Sequence, residues 1–366
     1  MAGWRGHSRR MSKPRTHSHH PDNVRTMRVR NPVDLLALVP VSFGFHPEQS
    51  LVLLAFDGPQ GFHARVDLPG DRSDIDAVVK CLLEALRRNP ARTAALVAYT
   101  DDGALAEDVI AAAAKGLKRL RVRVVAALRA DAGRWRCVGP CRPACGGRCD
   151  PTGTPYDLSG HPFTAAAVFD GQVTHRSRAA LQASLVWGDP AETEVVSKAV
   201  SAHAHRCLTA ARHPLGPWDP AAAKRVLVAE GHWVGERVRA HLSDGRRLSA
   251  DDAGRMLAAI GSVQVRDVAW AEMSRAVAGQ HVELWADLVR RAPLDVLAPP
   301  AALLAFAAWL HGDGALAWCA LERCHESDPG YTMASLLAGM LDGAVPPTVW
   351  TPLDKADLPL FATTGG

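Results

Sequence analysis

Residues 31–70 read NPVDLLALVPVSFGFHPEQSLVLLAFDGPQGFHARVDLPG, and this stretch decides the class of fold. Asn31 can cap a helix and Pro32 suits its first position, where no backbone donor is needed. Leu35, Leu36, Leu38 and Val39 supply the apolar stripe, and Pro40, Gly44 and Pro47 punctuate the exit. Ser50 to Phe56 (SLVLLAF) is an almost unbroken apolar run, the pattern of a strand covered on both faces. The Asp57 to Gly61 segment is a turn, and Phe62 to Leu68 alternates as the returning strand. Between these apolar runs lie His46, Glu48, Ser50, Arg65 and Asp67, which make candidate ligand-binding residues on a pocket rim.

Working outward, Asp71 to Asp74 caps a helix running to about Arg88, with Ile75, Val78, Val79, Leu82, Leu83 and Leu86 on one face. Thr93 to Thr100 is a second buried strand, Asp101 or Asp102 starts a helix ending near Leu120, and Val122 to Leu128 is the next strand. Strands separated by helices favour parallel pairing with helices packed on the sheet, while the opening hairpin makes that sheet mixed. Ala165 to Phe169 is read as a last strand and Ser177 to Val186 as a helix. From Glu192 onward nearly every segment has helical periodicity. The expectation is an α/β N-terminal domain with a mixed sheet, followed by an all-α C-terminal domain of tetratricopeptide-like hairpins. The divisions fall at 1–30 (a disordered basic tail), 31–189 (α/β, with a Cys-rich loop at 137–155), 190–345 (helical) and 346–366 (a disordered or irregular tail).

The chain has 366 residues, enough for two cores, and its 48% apolar and 22% charged residues are those of a soluble globular protein. The net charge of +4 conceals an asymmetry: residues 1–30 hold eight Lys or Arg against one acid, which leaves the rest near −3. A body of that sign lacks the basic surplus that phosphate backbones demand, so only the tail could engage nucleic acid. The tail has no apolar h-region and no later apolar run is long enough for a transmembrane helix, so a cytoplasmic setting is expected.

Chemistry-bearing motifs are sparse. No G-x-G-x-x-G or G-x-x-x-x-G-K-[ST] follows any strand, and no G-x-S-x-G elbow presents a serine. The Gly44–Ser50 corner reads first as structural, with a positive-φ glycine, a stiffening Pro47, and Glu48 or Ser50 bonding free amides. The alternative is a hydrolase or transferase centred on His46, Glu48 and Ser50. Arg65 and Asp67, two apart on a strand, share one face. Cys137, Cys141, Cys145 and Cys149 form a C-x3-C-x3-C-x3-C run. Four thiolates can hold one tetrahedral zinc, although zinc sites usually draw paired ligands from separated segments, and a metal-free loop is the preferred reading. Near the C-terminus, Ala317, Leu321, Cys324 and Pro329 have the spacing of a tetratricopeptide second helix, with Ala305 at the small position of the first. Trp309 and Trp318 are candidate anchors for a protein partner there.

The blocks LLALVPVSFGFHPEQSLVLLAF (35–56), FHARVDLP (62–69), GTPYD (153–157), SRAAL (177–181) and AFAAWLHGDGALAWCALERCHESDPGYTMASLL (305–337) together resemble an actinobacterial family catalogued as domain of unknown function 4192. The resemblance spans roughly Pro32 to Asp342 and implies no established activity, cofactor or catalytic residue. Members often carry cysteines just before the G-T-P block. Cys145 and Cys149 look similar, while Cys137 and Gly146-Gly147 depart from that pattern. The expected function is therefore a cytoplasmic binding or regulatory protein, with a ligand-binding or partner-binding α/β domain and a helical docking domain.

Overall fold

A computed structural model describes residues 28–58, 61–140, 150, 152–186, 189–212, 216 and 218–361. The basic tail up to residue 27 and three of the four loop cysteines, Cys141, Cys145 and Cys149, lie outside these residues.

The first helix, α1 (Pro32–Phe43), begins as its sequence dictates, with the Asn31 side chain accepting from the Asp34 amide at 2.9 Å. It does not stop at Pro40, as the punctuation suggested. It continues to Phe43, forgoing the one bond that a residue there would donate to the Leu36 carbonyl, because Pro40 is itself buried and Gly44 closes the helix at φ 72°.

The described residues form one six-stranded sheet in the order β2-β1-β3-β4-β5-β6, with β1 (Ser50–Phe56), β2 (Phe62–Asp67), β3 (Thr93–Tyr99), β4 (Arg123–Asp131), β5 (Arg134–Cys137) and β6 (Thr154–Pro155). Strand β1 lies antiparallel between β2 and β3, whereas β3 and β4 pair in parallel. Strands β2, β3 and β4 therefore point the same way and end at one edge, where Ser50 faces both Asp67 and Tyr99. Helices α2 (Ile75–Arg88) and α3 (Gly103–Arg119) cover one face, burying Leu51, Leu53, Leu96, Val109 and Leu117. Helix α1 covers the other through Leu35, Leu36, Val39, Val52, Leu54 and Val97. The continuous apolar reading of β1 and β3 is thus the signature of a sheet covered twice.

Ala165 to Phe169 is helical, not a strand. It belongs to α4 (Pro162–Phe169), which the His161 ring caps by accepting from the Phe163 amide at 3.2 Å and which packs on α1. Five apolar residues cannot distinguish the two periods, and a histidine cap followed by Pro is the signal that the strand reading passed over.

After α5 (Arg178–Ala183), the described residues form eight more α-helices: α6 (Pro190–Ala210), α7 (Pro220–Asp244), α8 (Ala250–Ala259), α9 (Val263–Ala271), α10 (Ala278–Arg291), α11 (Ala298–His311), α12 (Gly314–Ser327) and α13 (Thr332–Asp342). Asp189 caps α6 through its side chain, accepting from the Ala191 amide at 2.9 Å. The axis of this layer is α11, apolar all round and buried along nearly its whole length, as a helix surrounded by others must be. It turns at Gly312 (φ 94°) into α12, whose Ala317, Leu321 and Cys324 line the shared seam. Residues 346–361 contain only two short 3-10 turns, yet Leu358 and Leu360 are buried in the helical core and Trp350 stacks on Trp270 at 5.4 Å. Phe45, from the corner after α1, also enters that helical core.

Candidate functional site

The corner that carries His46, Glu48 and Ser50 is held by backbone. The His175 amide donates to the Gly44 carbonyl at 2.7 Å and the His46 amide donates to the His175 carbonyl at 3.0 Å. These bonds turn the Phe45 ring inward and leave His46 and Glu48 outside. Gln49, at φ 41°, then carries the chain into β1.

Ser50 is fully buried. Its hydroxyl donates to the Glu48 carbonyl at 2.5 Å and accepts from Arg65 Nε at 2.9 Å. Arg65 in turn reaches Asp67 at 2.5 Å, and its guanidinium lies 5.7 Å from the Phe45 ring centre. The hydrolase arrangement therefore does not form: the serine proton is committed, no base touches the oxygen, and no side-chain hydrogen bond joins His46, Glu48 and Ser50. What does form is a chain from Ser50 through Arg65 to Asp67, on the face predicted from their spacing. It pins the edge strand to the corner.

The carboxyl ends of β3 and β4, where α/β sheets usually take ligands, are already occupied by protein. Arg129 donates from Nε to the Thr100 carbonyl at 2.9 Å and from Nη2 to the Asp101 carbonyl at 2.6 Å. Its guanidinium lies against Gly103 at the first turn of α3, where a Cβ would meet Nη1 at 2.6 Å. Asp102 caps the same helix by accepting from the Leu105 amide at 2.9 Å. An arginine and a carboxylate fill the place a phosphate would take, in keeping with the missing glycine-rich loop.

Beyond the corner, Ser177 caps α5 and directs Arg178 onto Glu322 of α12. Trp318, Leu321, Glu322, His325 and Glu326 recur at helical spacing and line an open groove of about 430 Å³ on α12. Glu322 carries one engaged oxygen, paired with Arg178, and a second, Oε2, that is buried without a hydrogen-bond partner. Glu326 pairs with Arg323, and His325 Nδ1 lies 2.8 Å from the Leu321 carbonyl, which orients the ring. Cys319 and Cys324, behind this face, are pushed by burial up to about 11 and about 12, so both are protonated packing residues.

The two tryptophan candidates separate. Trp309 is buried, with its indole N–H donating to the Val345 carbonyl at 2.9 Å and its ring 5.3 Å from that of Phe306. It is a core residue and cannot anchor a partner. Trp318 is half-buried and lines the groove. Of the metal candidates, Cys137 ends β5, half-buried, and Cys141, Cys145 and Cys149 lie outside the described residues. Another trio with metal-ligating chemistry, His203, Cys207 and Glu230, went unnoticed in the sequence. Its only sequence signal is H-x3-C on one helix, since the third member lies twenty-seven residues away.

The described residues thus form a mixed α/β sheet whose strand ends are plugged by Arg129 and Asp102, joined to a helical layer with an open groove lined by Trp318, Glu322 and Glu326. Residues 32–348 match the family model for a domain of unknown function, number 4192, and the chain belongs to that family. The match spans both layers. No curated protein and no solved structure matches the chain. Among the described residues, no helix is long and apolar enough to cross a membrane.

Proposed function

We propose that this chain is a cytoplasmic binding protein of actinobacterial type whose helical layer docks a short basic segment of a partner protein in the α12 groove. The observation that carries this reading is the Glu322 carboxylate, whose Oε2 has no hydrogen-bond partner, in a groove that Trp318 also lines. A buried carboxylate oxygen without a donor is costly, and a lysine or arginine in the groove supplies that donor as the Glu322 side chain, 37% exposed, turns Oε2 outward. The indole face then attracts the same cation. A volume of about 430 Å³ accommodates one or two such side chains with their aliphatic stems. The tetratricopeptide-like spacing of Ala317, Leu321 and Cys324 accords with a helical docking layer. Ser50, sealed beneath Arg65, offers an enzymatic reading no nucleophile.

The test uses a fluorescein-labelled peptide rich in Arg and Lys and an acidic counterpart, with binding read by anisotropy. The basic peptide should bind, and Trp318→Ala or Glu322→Gln should each weaken it about tenfold or more with little change in melting temperature, since loss of a fitted charged contact is worth roughly 1.4 kcal/mol or more. Trp309→Ala should instead destabilise the fold by about 3–5 kcal/mol. Equal binding of the acidic peptide, or a basic peptide indifferent to Trp318→Ala, sinks the proposal.

A further inference from the structure

Elsewhere in the helical layer, three side chains from α6 and α7 come together. His203 Nε2 lies 3.0 Å from Glu230 Oε2 and 3.2 Å from Cys207 Sγ, and all three atoms lie within 4.8 Å of one another. His203 and Cys207 are four apart on α6 and so share a face, and Glu230 approaches from the middle of α7. His203 and Glu230 are buried and Cys207 is half-buried.

The arrangement is not that of a cysteine nucleophile. In a Cys-His-acid relay the acid holds the ring nitrogen that does not face the sulfur. Here sulfur and carboxylate converge on the same nitrogen, while Nδ1 accepts from Arg206 at 3.3 Å. Groups gathered about a common centre are what a metal ion requires. Around tetrahedral zinc, with bonds of about 2.0–2.3 Å, neighbouring N, O and S ligand atoms sit about 3.4–3.6 Å apart. The observed 3.0 and 3.2 Å separations need open by only a few tenths of an ångström, and the sulfur-to-carboxylate separation, within 4.8 Å, has to settle near the same value.

We propose that His203 Nε2, Cys207 Sγ and Glu230 Oε2 form a three-ligand site for a divalent transition metal, zinc above all, with the fourth position left to water or a small ligand. Softness of the donors favours zinc over magnesium or calcium, which prefer all-oxygen shells. Two arginines set the terms of entry. Arg255 grips both oxygens of Glu230, at 3.0 Å to Oε2 and 2.9 Å to Oε1, and stacks on Trp233 at 4.1 Å. It yields Oε2 to the metal and keeps Oε1, becoming the outer hydrogen bond that a ligating carboxylate usually has. Arg206 is exposed and must swing away, because a ring bound through Nε2 carries its proton on Nδ1. The proton on His203 Nε2 is exchanged for one on Nδ1 and the Cys207 thiol loses its own to solvent, so each metal bound releases one proton.

The experiment adds cobalt(II), a coloured substitute for zinc, to the full chain and to the full chain carrying Cys141→Ser, Cys145→Ser and Cys149→Ser, which removes the loop thiols as competing ligands. Both should take up one equivalent with a thiolate-to-cobalt charge-transfer band that zinc abolishes, and Cys207→Ser should erase that band. Arg206→Gln, which leaves all three ligands and removes the competing cation, should tighten cobalt binding about tenfold. Absence of the band in the loop-substituted chain, or its survival in Cys207→Ser, overturns the proposal. Should Cys207→Ser fail to fold, Arg206→Gln decides, and unchanged affinity counts against the site. Because this site shares no residue with the α12 groove, peptide binding there and cobalt binding here are read separately.

Discussion

At the scale of single residues, the helical core carries a histidine, His281, whose two nitrogens are both committed. His281 is fully buried, with Nε2 3.2 Å from the Glu272 carbonyl and Nδ1 accepting from the Trp285 indole at 3.3 Å. The neutral ring satisfies both partners, and a second proton on Nδ1 would face the indole donor. Burial accordingly pulls its pKa from the usual 6.5 down to about 4, with the Glu272 carbonyl opposing. The unfolded chain takes up this proton below about pH 6.5 and the folded chain only near 4, so the stability due to the neutral ring is present above 6.5 and lost as pH falls to 4. The loss amounts to about 3 kcal/mol, from roughly 1.4 kcal/mol per unit of pKa. His281→Gln keeps a donor for Glu272 and an acceptor for Trp285 without titrating. Urea midpoints measured between pH 7 and pH 4.5 should therefore fall less steeply in this variant, by up to one proton. Parallel slopes would mean the ring titrates normally.

Elements meet most closely where glycine lets them. At Gly254 of α8 an added Cβ would lie 2.4 Å from the Ala199 Cβ and 2.9 Å from backbone atoms of Ala199 and Val200 in α6, which cannot give way without moving the helix. Gly254→Ala should therefore cost about 1–3 kcal/mol or more despite the better helix propensity of alanine. At Gly116 of α3 the clash is with Leu83 methyls at 2.2 and 3.2 Å, the flexible end of a half-buried side chain on α2. There the propensity gain of about 1 kcal/mol offsets the repacking, and Gly116→Ala should be near neutral. Chemical denaturation of both variants checks the contrast, and equal costs would refute it. These contacts also mark the limit of what sequence discloses at this scale. The cap at Asn31, a cap at Asp101 or Asp102 (the structure uses Asp102) and the strands near 50–56 and 93–100 were legible, because each depends on residues within one turn or one pleat of the chain. The insertion of β1 between β2 and β3, the plugging of the α3 N-terminus by Arg129 and the sealing of Ser50 depend on pairing across long separations, which no local period encodes. Of the proposed rim, Ser50, Arg65 and Asp67 do come together, but as a strut. The His203 trio was invisible because two of its members look like ordinary helix residues until α7 brings Glu230 against them.

At the scale of the whole molecule, the two layers are joined at separate points. One is the α1 corner, where Phe45 enters the helical core and Arg178 binds Glu322. The other is the end of α2, where Arg88 donates to the Gly343 carbonyl and Asn89 Nδ2 donates to the Ala344 carbonyl at 2.9 Å. The second contact is polar and partly exposed, worth about 1 kcal/mol per bond, whereas a buried phenylalanine contributes several times that. Coupling between the layers should thus rest mainly on apolar contacts, Phe45 (1% exposed) foremost, beside Leu181 and Leu185 in the same core. Phe45 is supplied by the α/β layer and consumed by the helical one. In calorimetry the parent chain should unfold in one cooperative transition. Phe45→Ala should cost about 3–5 kcal/mol, with the loss falling on the helical layer, whose transition then separates to lower temperature while the sheet layer melts near its original midpoint. Arg88→Ala, by comparison, should leave a single transition shifted by a few degrees at most. If Phe45→Ala keeps one transition at an unchanged midpoint, the ring is not what couples the layers. If Arg88→Ala splits the transition and Phe45→Ala does not, the coupling runs through the end of α2 instead.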